Sequence, residues 1–187
     1  MTDHALAETR AWVDRAVIGL HLCPFAKAPQ VKGQVRYVTS EAVNADALLS
    51  DLVEELKLLA AASPDRIETT LLVHPRAFAV FEDHNDFLEI AEAALVALDL
   101  EGVIQIASFH PEYRFAGSEP DDVANATNRS PHPTLHLLRE ESIERALATF
   151  ANPDSIFEAN IVTLQRLGAE GWAALRRRCR DDVERGA

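Results

Sequence analysis

The chain has 187 residues, 48% of them hydrophobic, and a formal net charge of −12. That length fits one domain with a packed core, and the acidic balance excludes generic nucleic-acid binding, which neutralises phosphates with Lys and Arg. No apolar run approaches a membrane span: the best, AALVAL at 93–98, is far short of the roughly 20 residues a helix needs.

The N-terminus, MTDHALAETRAW, is acidic and helical in pattern, unlike a signal peptide. Cys23 and Cys179 lie far apart and give no disulfide framework, so a reduced, cytoplasmic setting is expected. Charge is unevenly placed. Residues 77–105 hold seven acidic side chains and no Lys or Arg, while basic residues gather at 27–36, 110–139 and 176–180.

Apolar positions from Ala5 through Trp12, Val13, Ala16 and Val17 to Leu20 have helical spacing, and the helix should stop before Pro24. LCPFAKAPQVKG follows as a Pro- and Gly-punctuated loop. Val35 to Thr39 alternates and reads as a strand. Leu48, Leu49, Leu52, Val53, Leu56 and Leu59 mark a second helix, ending near Ser63-Pro64. Thr69 to Val73 is a second strand. Asp83 is the expected cap of a third helix carrying Ile90, Ala91, Ala94, Leu95 and Leu98. Val103 to Phe109 is a third strand.

Residues 112–133 show neither period, and a stretch of that length inside a domain is usually functional or disordered. Leu135 to Leu138 suggests a short fourth strand, with a helix over 142–150. Asn152-Pro153 resembles a cap followed by Pro at the first helical position. A helix through Ile156, Ile161, Leu164 and Leu167 then leads past Gly168 and Gly171 to a terminal piece with Trp172, Leu175 and RRRCR.

Strands alternating with helices predict one α/β domain over residues 1–187, with a small, mostly parallel sheet of about four strands flanked by helices and a helical C-terminal region. The second and third strands both end in His-Pro, as LLVHP and ASFHP. Parallel strands would set His74 and His110 on one sheet edge, where open α/β sheets bind ligands. A fourth strand returning antiparallel would start Thr134 and His136 at that edge, beneath the loop carrying Arg129.

His110 on a rigid strand end suits a general acid or base, assisted by Glu112; a polar strand terminus bonded to backbone would satisfy the same pattern. Arg129 and Arg114 suit an anion clamp, with Asn125, Asn128, Ser130 and His136 orienting the ligand. Against this, Asn and Ser are ordinary turn residues, and Arg129 could simply bridge to Asp121 or Asp122. Cys23 would be a nucleophile if Lys27 or a histidine stabilised its thiolate, or else a buried structural thiol. Ala26 at the fourth position of CPFA rules out a dithiol pair. His132 and His136 are spaced like helical metal ligands, but Pro133 interrupts them. Arg176, Arg177, Arg178 and Arg180 are either a partner patch or a helix end paired with Asp181, Asp182 and Glu184.

LCPFAK at 22–27, VKGQVRYV at 31–38, FHPEYRFAG at 109–117 and NATNRSPHPTLHLLRE at 125–140 together resemble a bacterial family, domain-of-unknown-function family 1415, over nearly the whole chain. The resemblance implies one full-length domain and supplies no reaction, cofactor or catalytic residue. It also implies Asn where His21 stands and Tyr where His132 stands, departures that count against a metal or catalytic role for either. The leading expectation is an enzyme acting on a small phosphorylated or carboxylated metabolite, with no cofactor named by the sequence. Alternatives are a metal-binding protein using Cys23, His74, His110 and His136, and a non-catalytic interaction module.

Overall fold

The computed structural model describes residues 2–148, 152 and 154–186. Helix α1 (Thr2–Trp12) continues into a π-helical turn, Val13–Ile18, that ends at Gly19. A side chain on Gly19 would bring its Cβ within 2.3 Å of the Arg15 carbonyl, so only glycine closes the turn this tightly. A short α2 (Lys27–Val31) follows inside the segment expected to be loop. Its Pro29 sits in the first turn, where the missing N–H has no helical partner to lose.

The sheet is built from β1 (Val35–Thr39), β2 (Thr69–Val73), β3 (Ile104–Phe109) and β4 (Thr134–Arg139). Helices α3 (Ala45–Ala61) and α4 (Phe81–Ala97) connect the first three. Asn44 caps α3 by accepting from the Ala47 N–H at 2.9 Å. α4 starts two residues ahead of the expected cap: Val80 precedes it with no side-chain bond, and Asp83 lies in the first turn. α5 (Glu140–Leu147) begins directly after β4, and α6 (Asp154–Gly186) is broken at Gly168, whose φ of 69° and ψ of 172° are not helical. Thr149 and Phe150, at the end of the expected 142–150 helix, and Pro153 lie outside the described residues.

Strand order is β1-β2-β4-β3. Only β1 and β2 pair in parallel; β4 runs antiparallel to both β2 and β3. The sheet is therefore not mostly parallel, as the helical crossovers suggested. The first three strands do point one way, but β4 inserts between β2 and β3. The consequence for the C-terminal edge survives, because an antiparallel β4 starts where β2 and β3 end: Thr134 faces both Val73 and Phe109.

Strand parity then sorts side chains into two layers. Leu72, Leu135, Leu137, Ile104 and Ile106 pack with Leu48, Leu52, Leu56, Leu59, Phe87 and Leu95 of α3 and α4. Tyr37 and Leu71 face the other way, toward Trp12 and Val13 near α1 and Leu164, Trp172 and Leu175 of α6. β2 is buried at all five positions because both faces are covered. Arg139 closes the far end, donating to the Leu59, Ala62 and Ile67 carbonyls at 2.6–3.2 Å and so satisfying the C-terminus of α3.

Candidate functional site

At the C-terminal edge, three histidines stack. His74 follows β2, His110 follows β3, and His84 enters from the first turns of α4. Ring centroids are 5.1 Å apart for His74 and His84, and 5.3 Å for His84 and His110. All three are buried. Burial lowers His74 to about 4 and His84 to about 3, in each case with some help from neighbouring imidazoles, and lowers His110 as well. The stack is thus neutral at pH 7. His74 Nε2 and His84 Nδ1 are buried with no hydrogen-bond partner among the described residues.

His110 is the expected acid–base group, yet both its nitrogens are engaged. Nδ1 accepts from the Glu112 N–H at 3.0 Å, which leaves Nε2–H to donate to the Phe78 carbonyl at 3.1 Å. It cannot take a proton without giving up a backbone bond. Glu112 contributes its N–H to this arrangement, while its carboxylate is exposed. Phe78 holds its carbonyl there with a left-handed φ of 56°, a conformation that costs a non-glycine residue of order 1 kcal/mol.

The aperiodic 112–133 segment is ordered by side chains that sequence reasoning assigned to a ligand. Asn125 accepts from the Phe115 N–H at 3.0 Å and the Ser118 hydroxyl at 2.7 Å, and donates to the Glu119 carbonyl at 2.8 Å. Asn128 donates to the Ser108 carbonyl, while its own carbonyl accepts from the His110 N–H. Ser130 donates to the His132 carbonyl at 2.5 Å. A 3-10 turn, Val123–Asn128, lies within the segment. These groups build the loop and have little left for a ligand.

Arg114 pairs with Glu82 at 2.7 Å on the rim of a recess of about 380 Å³ lined by Phe81, Asn85, Phe115 and Ser118. His136 has the opposite parity from His74 and His110 and lies on the other sheet face, 2.7 Å from the Thr69 hydroxyl. Cys23 is half-buried, and burial raises its thiol, opposite to a stabilised thiolate. Among the described residues, no three His, Cys, Asp or Glu side chains are grouped to hold a metal ion, so Cys23, His74, His110 and His136 are not brought together as ligands.

Arg129 does not bridge to an acid. Its guanidinium donates to the Tyr113 carbonyl at 3.0 Å and the Pro120 carbonyl at 2.7 Å. Burial lowers its pKa first, and repulsion from Arg176 of α6 lowers it further, against the attraction of Glu112 and Asp122. α6, which carries Arg176, packs against the Val123–Asn128 turn of this loop. The acids expected to pair with the arginine run go elsewhere: Asp182 to Arg15 and Arg185, and Asp181 to Arg185. Among the described residues, Arg176, Arg177, Arg178 and Arg180 form no ion pair.

One pairing was invisible to sequence reasoning. Glu8 of α1, buried, accepts from His132 Nε2–H at 2.6 Å across 124 residues of chain. No local spacing carries a signal for a pair so far apart.

The chain matches the family described as protein of unknown function (DUF1415) over residues 4–174. It belongs to the DUF1415 family. The DUF1415 match includes Glu8, the histidine stack and the 112–133 loop, and stops short of Arg176. No curated protein and no solved structure matches the chain. Among the described residues, no helix is long and apolar enough to cross a membrane.

Proposed function

We propose that this DUF1415 chain binds a small phosphorylated or carboxylated metabolite with Arg129 of the loop and Arg176 of α6, above the C-terminal edge of the sheet. The supporting observation is an Arg129 guanidinium held by two backbone carbonyls with no ion pair among the described residues, while Arg176 of α6 repels it. An anion bound here would relieve the repulsion that Arg176 exerts on Arg129, adding to the counter-charge of Glu112 and Asp122. A phosphate or carboxylate would do so by bidentate hydrogen bonding. Arg129 is pre-positioned because two backbone carbonyls fix its guanidinium, which lowers the ordering cost on binding. Arg114 is the weaker anchor, since Glu82 already occupies it.

Thermal-shift measurements with inorganic phosphate and with phosphorylated and carboxylated metabolites test the reading. Arg176→Ala is the informative variant, because Arg129→Ala would also release the loop. A ligand at about one hundred times its Kd contributes roughly 2.7 kcal/mol, a shift of a few degrees. That shift should vanish in Arg176→Ala and persist in Arg114→Ala. Stabilisation indifferent to Arg176, or none by any anion, would remove the proposal.

A further inference from the structure

We infer that Glu8 and His132 form a proton-transfer dyad, which makes the chain an acid–base enzyme; only the substrate class rests on the anion site proposed above. Glu8 is buried, so its carboxylate acts in a low dielectric and holds the imidazole firmly. As an acceptor, it fixes the proton on His132 Nε2 at 2.6 Å and leaves Nδ1 with a lone pair. Nδ1 has no hydrogen-bond partner among the described residues, yet it is not one of the buried unpaired atoms. The His132 side chain is 24% exposed, so Nδ1 is not sealed from solvent.

The backbone holds the ring in place. The Ser130 and Thr134 hydroxyls both donate to the His132 carbonyl, at 2.5 and 2.9 Å. The next carbonyl, that of Pro133, accepts from the His74 N–H at 2.9 Å. Ser130 and Thr134 are thus positioning residues. A buried carboxylate orienting an imidazole whose other nitrogen is free is the arrangement general-base catalysis requires. His110 and His74, by contrast, are buried and tied to backbone. The other ionisable groups facing the pair are His4 of α1, 3.7 Å from Glu8, and Cys179 of α6, which feels the Glu8 charge and whose thiol burial raises.

In the step assigned here, Nδ1 takes a proton from a substrate O–H, N–H or acidic C–H bond, and the bonding pair stays on the substrate. The imidazolium then carries a proton on each nitrogen, with Nε2–H still on Glu8, which offsets the new charge. Nδ1 later returns its proton to product or water. Two residues, Ser130 and Pro131, separate Arg129 from His132, so the substrate is a small anion with its acidic bond beyond the charged group. The resemblance implies Tyr at position 132, so the dyad is assigned to this chain alone.

Carbethoxylation by diethyl pyrocarbonate, mapped by peptide mass across pH 5–8 on the full chain, tests the dyad without a known substrate. His132 should react several-fold faster than exposed His21 on the high-pH plateau. Glu8→Gln should bring His132 down to the His21 rate, with His21 unchanged. Glu8→Asp, a second variant in case the first folds poorly, should fall between. Saturating inorganic phosphate should protect His132 but not His21, and Arg176→Ala should abolish that protection while leaving the unprotected rate intact. Equal rates for His132 and His21, or indifference to Glu8, would overturn the dyad. A fast, Glu8-dependent His132 that phosphate does not protect would overturn the substrate class and leave the dyad standing.

Discussion

The sheet face under α3 and α4 is a hydrocarbon core of leucine, isoleucine and phenylalanine, with histidines only where the strands end. The face under α1 and α6 mixes aliphatic and aromatic groups with His136, and its indole nitrogens at Trp12 and Trp172 are buried without partners among the described residues. Both faces hold buried polar atoms without partners among the described residues: Thr70, His74 and His84 on the first, toward and beyond the strand ends, and the two indoles on the second, amid packed rings. Both candidate functional elements, the arginine junction and the Glu8–His132 pair, involve the second layer.

Adjacent residues of one strand allow the sharpest test of this contrast. Leu72 points to α3 and α4, and Leu71 to α1 and α6. Leu72→Ala leaves a cavity among close-packed side chains and should cost about 2–5 kcal/mol. Leu71→Ala should cost less, because the Trp12 and Trp172 indoles in its layer offer N–H donors to a water entering the cavity. Urea denaturation of the two variants decides it. Equal costs would mean that the two layers are packed alike.

Acid should next attack the ordered face at its histidine edge. An unfolded chain protonates His74 and His84 near 6.5, whereas the folded protein refuses those protons until about 4 and about 3. Stability is therefore full above pH 6.5 and is lost as pH falls through that window. By pH 5 each group should contribute a loss of about 2 kcal/mol. Denaturation midpoints from pH 7.5 to 5 should show the decline, and His84→Leu should flatten it. An unchanged slope would mean that the stack opens and hydrates without unfolding.

Asn125→Ala should cost about 1–3 kcal/mol, since it strands the Phe115 N–H and the Glu119 carbonyl. The effect should be local. Hydrogen exchange at 115–119 should accelerate while β2 and β4 stay protected; uniform acceleration would mean that the loop and sheet unfold as one unit.

The strands were legible to within a residue because their β-branched and apolar runs are bounded by turn or charged residues: β2 and β3 end at His-Pro, and β4 follows His132-Pro133 and ends at charge. Their order was not. An antiparallel β4 can pair at either edge or in the middle, and only the burial of both its neighbours decides among these. The His-Pro endings correctly drew His74 and His110 to one edge, but His84 arrived from a helix whose start lies two residues before the expected cap. His136 was drawn to the same site because its parity relative to β3 depends on a register that no local signal carries. The side chains of the polar cluster at 125–130 build the loop, the turn role that the sequence offered beside anion binding. Asn and Ser that build a loop have the same composition as those that bind an anion, and only the backbone groups they meet distinguish the two. The expected pairing within the arginine run failed because Arg15, far away in sequence, takes Asp182.

The smallest expected effect separates the two arginines that sequence reasoning treated alike. Arg114 and Glu82 form an exposed pair between the loop and α4, with side chains 38% and 63% accessible. Such pairs contribute about 0–1 kcal/mol, because water and salt screen them and both side chains lose freedom to form them. Arg114→Ala should therefore shift the denaturation midpoint barely at all, and still less in high salt. Arg129 is different in kind: its guanidinium bonds two carbonyls of a partly buried loop, and Arg129→Ala would leave both unmet. A loss above 1 kcal/mol in Arg114→Ala would mean that the pair closes the recess against Phe81 and Phe115, and the recess would then have to be counted with the loop as one structural unit.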